Sequence, residues 1–256
     1  MSVIDNSHLV ILGSQTARNG FLNEQFVIDE FNSWQVGGLA TKWLTKMGYN
    51  PIDIDYVSAS KVQGSYKADV QVSVRVSIKL HMLEDIQNIQ VKLVSNPRGF
   101  NQIDKRWLAK YKEMWDIPYD VLQILRHYTG ELPPIILNPR DSRRMFIDEF
   151  SLEDQKKLIQ FLSDNKTLII SDILKGRGKF TAEWMLVVLK VDNKSLAWAL
   201  EPMNLVLNIF GNGQICITDR GNVKIGNITV QRKGGDNGRP TANMLQFKIN
   251  PAILIN

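Results

Sequence analysis

The stretch ADVQVSVRVSIKLHMLEDIQNIQVKLV, residues 68–94, decides the fold. Val70, Val72, Val74, Val76 and Ile78 alternate with Gln71, Ser73, Arg75 and Ser77. A period of two places one set on each face of a β-strand, and the β-branched side chains suit that pleated surface. The segment NIQVKLV repeats the pattern, with Ile89, Val91 and Leu93 on one face and Gln90 and Lys92 on the other. Asp69 falls on the polar side of the first strand. In a simple hairpin it lies opposite Gln90 only if the turn centres near Lys79–Leu80. The residues equally allow a loop near Leu83–Gln87, which would slide Asp69 out of reach unless a bulge restores it.

Upstream, Phe21, Val27, Ile28, Phe31 and Trp34 recur at helical spacing, with Asn19 as a cap. Glu24 shares that face. It is either a first-turn acid favoured by the helix dipole or a carboxylate aimed into a cleft. A second helix runs through Leu39, Trp43 and Met47 and stops at Gly48, and Ile52–Val57 alternates like a strand. Downstream, residues 101–115 read as a helix with Trp107, Tyr111 and Met114 on one side, and Val121–Tyr128 as another. GELPPIILNPRDSRR (130–144) is the best candidate connection between two halves. Ser151 with Asp154 resembles a capping box for a helix ending near Ser163. Strands are expected around Thr167–Ile173, Trp184–Val191, Gln214–Thr218, Val223–Arg232 and Met244–Ile249, with a short helix near Met203–Phe210. The class is α/β or α+β, a central mixed sheet flanked by helices with a strand-rich C-terminal region. The expected division is a catalytic core over 1–140 and a recognition subdomain over 141–256.

The chain has 256 residues, 44% hydrophobic and 22% charged, in the ordinary range for a globular protein. A net charge of +5 is a mild bias toward polyanions. The single cysteine, Cys216, excludes an intramolecular disulfide and suits a reducing, cytoplasmic setting. No apolar run approaches the roughly 20 residues of a membrane span, and no export signal is legible.

Few engines of catalysis survive inspection. His8, His81 and His127 are scattered and have no cysteine partners, which argues against zinc. No glycine-rich segment ends in Gly-Lys-Ser/Thr, so there is no P-loop. Phosphodiester hydrolysis needs oxygen ligands for a divalent cation, a positioned water and an offset for charge on the phosphorus oxygens. An Asp on one strand and an acid-x-Lys on its neighbour supply these. Asp69 with Gln90-Val91-Lys92 fits that layout, with an amide in place of the acid; on spacing alone the same residues read as a solvated strand face.

Two further segments point to DNA. SNPRGFNQIDKRW (95–107) carries Phe100 at a turn, with Asn101, Gln102 and Lys105 beyond it. An exposed aromatic can wedge between base steps, whereas a buried one plugs a core. QRKGGDNGRPTANMLQF (231–247) places Gln231, Arg232, Lys233, Asp236, Asn237, Arg239, Asn243 and Gln246 in one strand–loop–strand. Arg and Lys can pair with guanine, and Asp can accept from cytosine.

The chain as a whole resembles the HinP-type restriction endonucleases. The likeness runs from GSQTARNGF (13–21) through NIQVKLVSNPRGFNQIDKRWLA (88–109), YKEMW, LRHYTGELPP, RRMF and DILKGRGKFTAEW (172–184) to VQRKGGDNGRPTANMLQFKI (230–249). The resemblance implies a PD-(D/E)-x-K nuclease core in its Gln-x-Lys variant, with cleavage of duplex DNA at GCGC. It implies that Asp69 and Gln90 hold Mg2+, that Lys92 orients the attacking water, and that Phe100 inserts into DNA beside Gln102. Ala68 stands where the superfamily name has Pro. A monomer or weak dimer is expected, with a cognate DNA methyltransferase as functional partner. A DNA-binding protein on an inactive core, a structure-specific repair nuclease and an RNA-binding protein are the alternatives.

Overall fold

The computed structural model describes residues 22–36, 38–64, 66–78, 81–190, 196–235 and 239–255. In chain order its helices are α1 (22–32), α2 (Gly38–Lys46), α3 (Leu108–Trp115), α4 (Tyr119–Thr129), α5 (Leu152–Asp164), α6 (Lys166–Leu174) and α7 (Met203–Gly211). Its strands are β1 (Ile54–Lys61), β2 (Val70–Ile78), β3 (His81–Val94), β4 (Asn101–Arg106), β5 (Trp184–Lys190), β6 (Leu196–Pro202), β7 (Ile215–Ile217), β8 (Val223–Ile225), β9 (Ile228–Arg232) and β10 (Leu245–Ile249). The mixed α/β class expected from the sequence is the class observed. No helix among the described residues is long and apolar enough to cross a membrane.

Two compact units share the chain. The first, built from 22–99, 175–206 and 251–255 among the described residues, holds a mixed sheet in the order β1-β2-β3-β5-β6. Its ladders are antiparallel except for β3 beside β5. The alternation in 70–94 explains the packing. Val70, Val72, Val74, Ile89 and Val91 join Val27, Phe31, Trp43 and Leu44 of α1 and α2 in one core. Trp43 is fully buried, with its ring 5.3 Å from Phe31 and 6.2 Å from Trp198. Burial on that scale carries about 3–5 kcal/mol for such an aromatic. Gly48 ends α2 in the left-handed region, φ +96°, as its position predicts.

The register of β2 against β3 runs from Val70↔Ile89 to Ile78↔His81. The connection is therefore centred on 79–80, and the alternative loop near 83–87 is excluded. That one fact puts Asp69 at the height of Gln90.

The second unit, 100–174 and 207–250, holds an antiparallel sheet in the order β4-β10-β9-β8-β7. Tyr111 and Trp115 of α3 stack at 4.5 Å, and Phe247 of β10 meets both edge-on. Polar atoms beneath this face are matched. Tyr111 donates to the buried Asp104, and Trp115 Nε1 donates to Asp172 at 2.8 Å. Ser151 caps α5 by accepting from Asp154 N at 3.1 Å, as its spacing predicts.

Several sequence expectations change. Residues 101–106 are strand β4, and the helix begins only at Leu108, because β10 supplies ladder partners across a long sequence gap. The segment 167–173 is helical. Ile169, Ile170, Ile173 and Leu174 are buried at helical spacing, which overrides the strand preference of an isoleucine run. The stretch 223–232 is two strands folded at Gly226, whose φ is +56°. Strand β6 was not anticipated. The segment 130–144 lies within the second unit and joins no two halves. The compact units are interleaved along the chain, so a single boundary at 140/141 does not describe them. The expected cap Asn19 and Phe21 lie outside the described residues.

Candidate active site and nucleic-acid surface

Where β2 meets β3, the ladder breaks at the residues of interest. With the pairing continued, residue 68 would face residue 91. Instead the Ala68 N–H turns to Phe180 O at 3.4 Å, and the Val91 N–H donates to the Asp69 carboxylate, Oδ2, at 2.8 Å. The Asp69 side chain thus replaces a backbone acceptor, while its own N–H bonds Ile89 O at 2.9 Å. Fastening to Val91 ties the carboxylate to the backbone between Gln90 and Lys92. The polar face continues through Gln71, whose Nε2 donates to Asn88 Oδ1 at 3.1 Å.

Gln90 is 3% exposed, and its Oε1 is buried without a hydrogen-bond donor among the described residues. An unmatched buried oxygen costs about 1–3 kcal/mol and is a feature of a site that takes up another group. Lys92 is half-buried and has no ion-pair partner among the described residues. The oxygens of Asp69 and Gln90 are the hard donors a small divalent cation prefers, so this donor set fits one. Among the described residues, no three His, Cys, Asp or Glu side chains are grouped so that they could hold a metal ion.

Glu24 and Asp69 line the same pocket, of about 490 Å3, together with Lys61, Gly64 and Tyr66. The Glu24 carboxylate is 2.6 Å from Lys61 Nζ, so its charge is matched. Neighbouring structure braces this wall. Gly176 has φ +85°, and a Cβ there would fall 2.4 Å from Lys67 Cγ, so only glycine lets the 175–180 turn close down on Lys67. Phe180 meets Tyr66 edge-on at 4.7 Å. In LKGRGK (174–179), Gly176 is therefore a packing device, whereas a Cβ at Gly178 would meet nothing within 4 Å.

In the antiparallel-sheet unit, Gln246 pairs with Gln231 on one side and Lys105 on the other, so the three share a face. Gln246 Nε2 donates to Gln102 Oε1 at 2.8 Å, while Gln246 Oε1 is buried without a partner among the described residues. Asn101 starts β4 opposite Ile249. Phe100, just before β4, is 53% exposed; it does not plug a core. Arg232 and Asn243 take a different role. Arg232 donates to Asn243 Oδ1 at 2.7 Å, and Asn243 Nδ2 donates to Gly130 O at 2.8 Å. The pair braces the end of α4. Burial, together with the Arg143 and Arg144 cations, lowers the Arg232 guanidinium from its ordinary value. The Lys233 N–H closes the hairpin on Met244 O, and Arg239 is exposed. Asp236 and Asn237 lie outside the described residues. Lys248 and residues of the turn 218–222, which the sequence does not single out, line a pocket beside Phe100. For Lys248 the signal was its alternation with Gln246; the turn offered none, because its neighbours are distant in sequence.

Comparison with known proteins bears on this geometry. A solved structure described as restriction endonuclease MspI in complex with its cognate DNA matches with a TM-score of 0.61 at 13% identity, covering 89% of this chain and 87% of that one. That likeness is one of fold. No curated protein matches by sequence. The family model described as R.HinP1I restriction endonuclease matches residues 47–255, which include Asp69, Gln90, Lys92, Phe100 and the whole antiparallel sheet. The chain belongs to the R.HinP1I restriction endonuclease family and is a site-specific DNA endonuclease of that class.

Proposed function

We propose that this chain is a type II enzyme that hydrolyses one phosphodiester per strand at a short G/C-rich palindrome, GCGC, using Mg2+. Binding of double-stranded DNA is supported by the fold likeness to a nuclease bound to its cognate DNA. The observation that carries the catalytic reading is the Asp69 carboxylate held on the Val91 N–H, with the uncommitted Gln90 oxygen and Lys92 on either side of that residue. In this reading Asp69 and Gln90 hold the cation. When bound, a divalent ion supplies Lewis-acid polarisation and offsets negative charge on the phosphate. Lys92 orients the attacking water by hydrogen bonding and adds a second positive charge beside the phosphate oxygens. Glu24, ion-paired with Lys61, completes the wall of the pocket that Asp69 also lines. Products carry 5′-phosphate and 3′-hydroxyl ends.

The division of labour follows the two units. The mixed-sheet unit cuts; the antiparallel-sheet unit inserts Phe100 and reads base edges with Gln102, Lys105, Gln231 and Gln246. One chain carries one catalytic set, so a double-strand cut takes two binding events or two chains of a weak dimer. A cognate methyltransferase protecting the same sequence is the functional partner. Digesting a plasmid with the full chain and MgCl2, then mapping the ends, tests the proposal. Discrete fragments ending at GCGC support it. Cuts confined to branches or nicks point to repair, and an intact plasmid contradicts it.

A further inference from the structure

A second pocket, of about 430 Å3, opens in the antiparallel-sheet unit beside Phe100. Its walls include Thr218, Asp219, Arg220, Gln231 and Lys248. Lys248 sits on β10 between Gln102 of β4 and Thr229 of β9. Its side chain is half-buried, and desolvation alone lowers its pKa. No ion pair holds its ammonium among the described residues, although Asp219 lines the same pocket. A desolvated cation with no counterion is costly unless a ligand completes it.

The opposite wall is rigid. The Gly221 N–H bonds Thr218 O at 2.7 Å, the Thr218 N–H bonds Asn222 O at 2.8 Å, and the Ile147 N–H bonds Gly221 O at 2.9 Å. Gly221 has φ +68°, and a Cβ there would lie 2.3 Å from Asp148 Oδ1 and 2.6 Å from Phe146 Cβ. Tyr128 donates to Asn222 Oδ1 at 2.8 Å. The turn is thereby pinned to the 146–148 segment and to α4, with Asp219 and Arg220 exposed at its tip.

The chemistry of the walls selects the ligand. A groove that tracks phosphates presents cations and N–H donors, and a carboxylate in its wall would repel them. This pocket mixes two cationic donors, Lys248 and Arg220, with an aspartate acceptor and a glutamine that both donates and accepts, and the aspartate sets it apart from a phosphate groove. In the major groove, guanine O6 and N7 accept from Lys, and cytosine N4 donates to Asp. We propose that the pocket reads the edge of one G·C base pair, with Lys248 donating to the guanine and Asp219 accepting from the cytosine. This rests on the duplex-DNA reading above and extends the recognition surface to two residues on separate elements.

The test uses the full chain with CaCl2 in place of MgCl2, so that binding is read without cleavage. Affinities are measured for the preferred duplex and for duplexes in which each G·C pair is replaced in turn by A·T, across a range of NaCl. Lys248→Met should weaken binding to the preferred duplex by about 10–100-fold. It should abolish discrimination at one base pair and leave the salt dependence unchanged. Asp219→Asn, on the exposed turn, should lose discrimination at that same pair, and it decides the matter alone should Lys248→Met not fold. Equal weakening on every duplex with a salt slope reduced by about one marks a phosphate contact and overturns the proposal. Unchanged affinities for both variants overturn it as well. A wild-type chain that binds all duplexes equally sinks the parent function, an outcome distinguishable because it needs no variant.

Discussion

The two five-stranded sheets use polar side chains in opposite ways. In the mixed sheet, one face of β2 and β3 is buried under α1 and α2, and the polar residues that matter are few and fixed. Asp69 is fastened to a backbone N–H, and Gln90 is 3% exposed with an oxygen left over. In the antiparallel sheet the aromatic layer of α3 covers one face, and the other carries a continuous polar row from Gln102 and Lys105 through Gln246 and Lys248 to Gln231. Cleavage chemistry needs two or three groups held rigidly, where an uncommitted oxygen is tolerated because a ligand repays it. Base reading needs breadth, many donors and acceptors at ladder spacing, with an exposed aromatic at the rim.

That contrast can be broken by experiment. The largest effect belongs to Asp69→Asn. The amide oxygen can still accept from Val91, so the fold is retained, but the carboxylate charge is lost; cleavage should fall by about 10²–10³-fold or more. Thermal unfolding within a degree or two of wild type confirms that chemistry, not folding, was removed. Next comes Phe100→Ala in the antiparallel-sheet unit. Because the ring is 53% exposed, melting should be unaffected. Loss of about 1–3 kcal/mol of base stacking predicts about 10–100-fold weaker duplex binding. A large drop in melting temperature with unchanged binding would return Phe100 to a packing role. The smallest effect sharpens the comparison within the mixed-sheet unit. Gln90→Glu adds a negative charge to the donor set, so half-maximal cleavage should need several-fold less MgCl2. An active variant with no reduced magnesium requirement counts against Gln90 as a ligand.

Legibility followed the range of the interactions. The β2–β3 hairpin is local, so alternation at Val70–Val76 and Ile89–Leu93 placed Asp69 opposite Gln90 once the turn was centred at 79–80. Strand β4 is not legible locally because its partner, β10, is remote, and the apolar spacing of Trp107, Tyr111 and Met114 suggests a helix that in fact starts only at Leu108. Helix α6 is not legible locally because Ile169, Ile170 and Ile173 favour strands, while their burial at helical spacing with Leu174, a tertiary effect, selects the helix. Arg232 and Asn243 looked like base readers in the linear sequence. Their mutual bond and the Gly130 carbonyl show a brace, which only the folded chain reveals. The role of Phe100 turned on exposure, a property no motif records.

In the proposed function, cutting resides on β3 of the mixed sheet and is separable from holding DNA. Lys92→Ala tests it most directly, with duplex affinity measured in CaCl2 and cleavage in MgCl2 on the same preparation. Affinity should stay within about threefold of wild type, since one positioning lysine contributes little to the whole charge-driven contact, and cleavage should fall by about 10²–10³-fold. Cleavage that survives undiminished, or that falls only in step with affinity, would contradict the account.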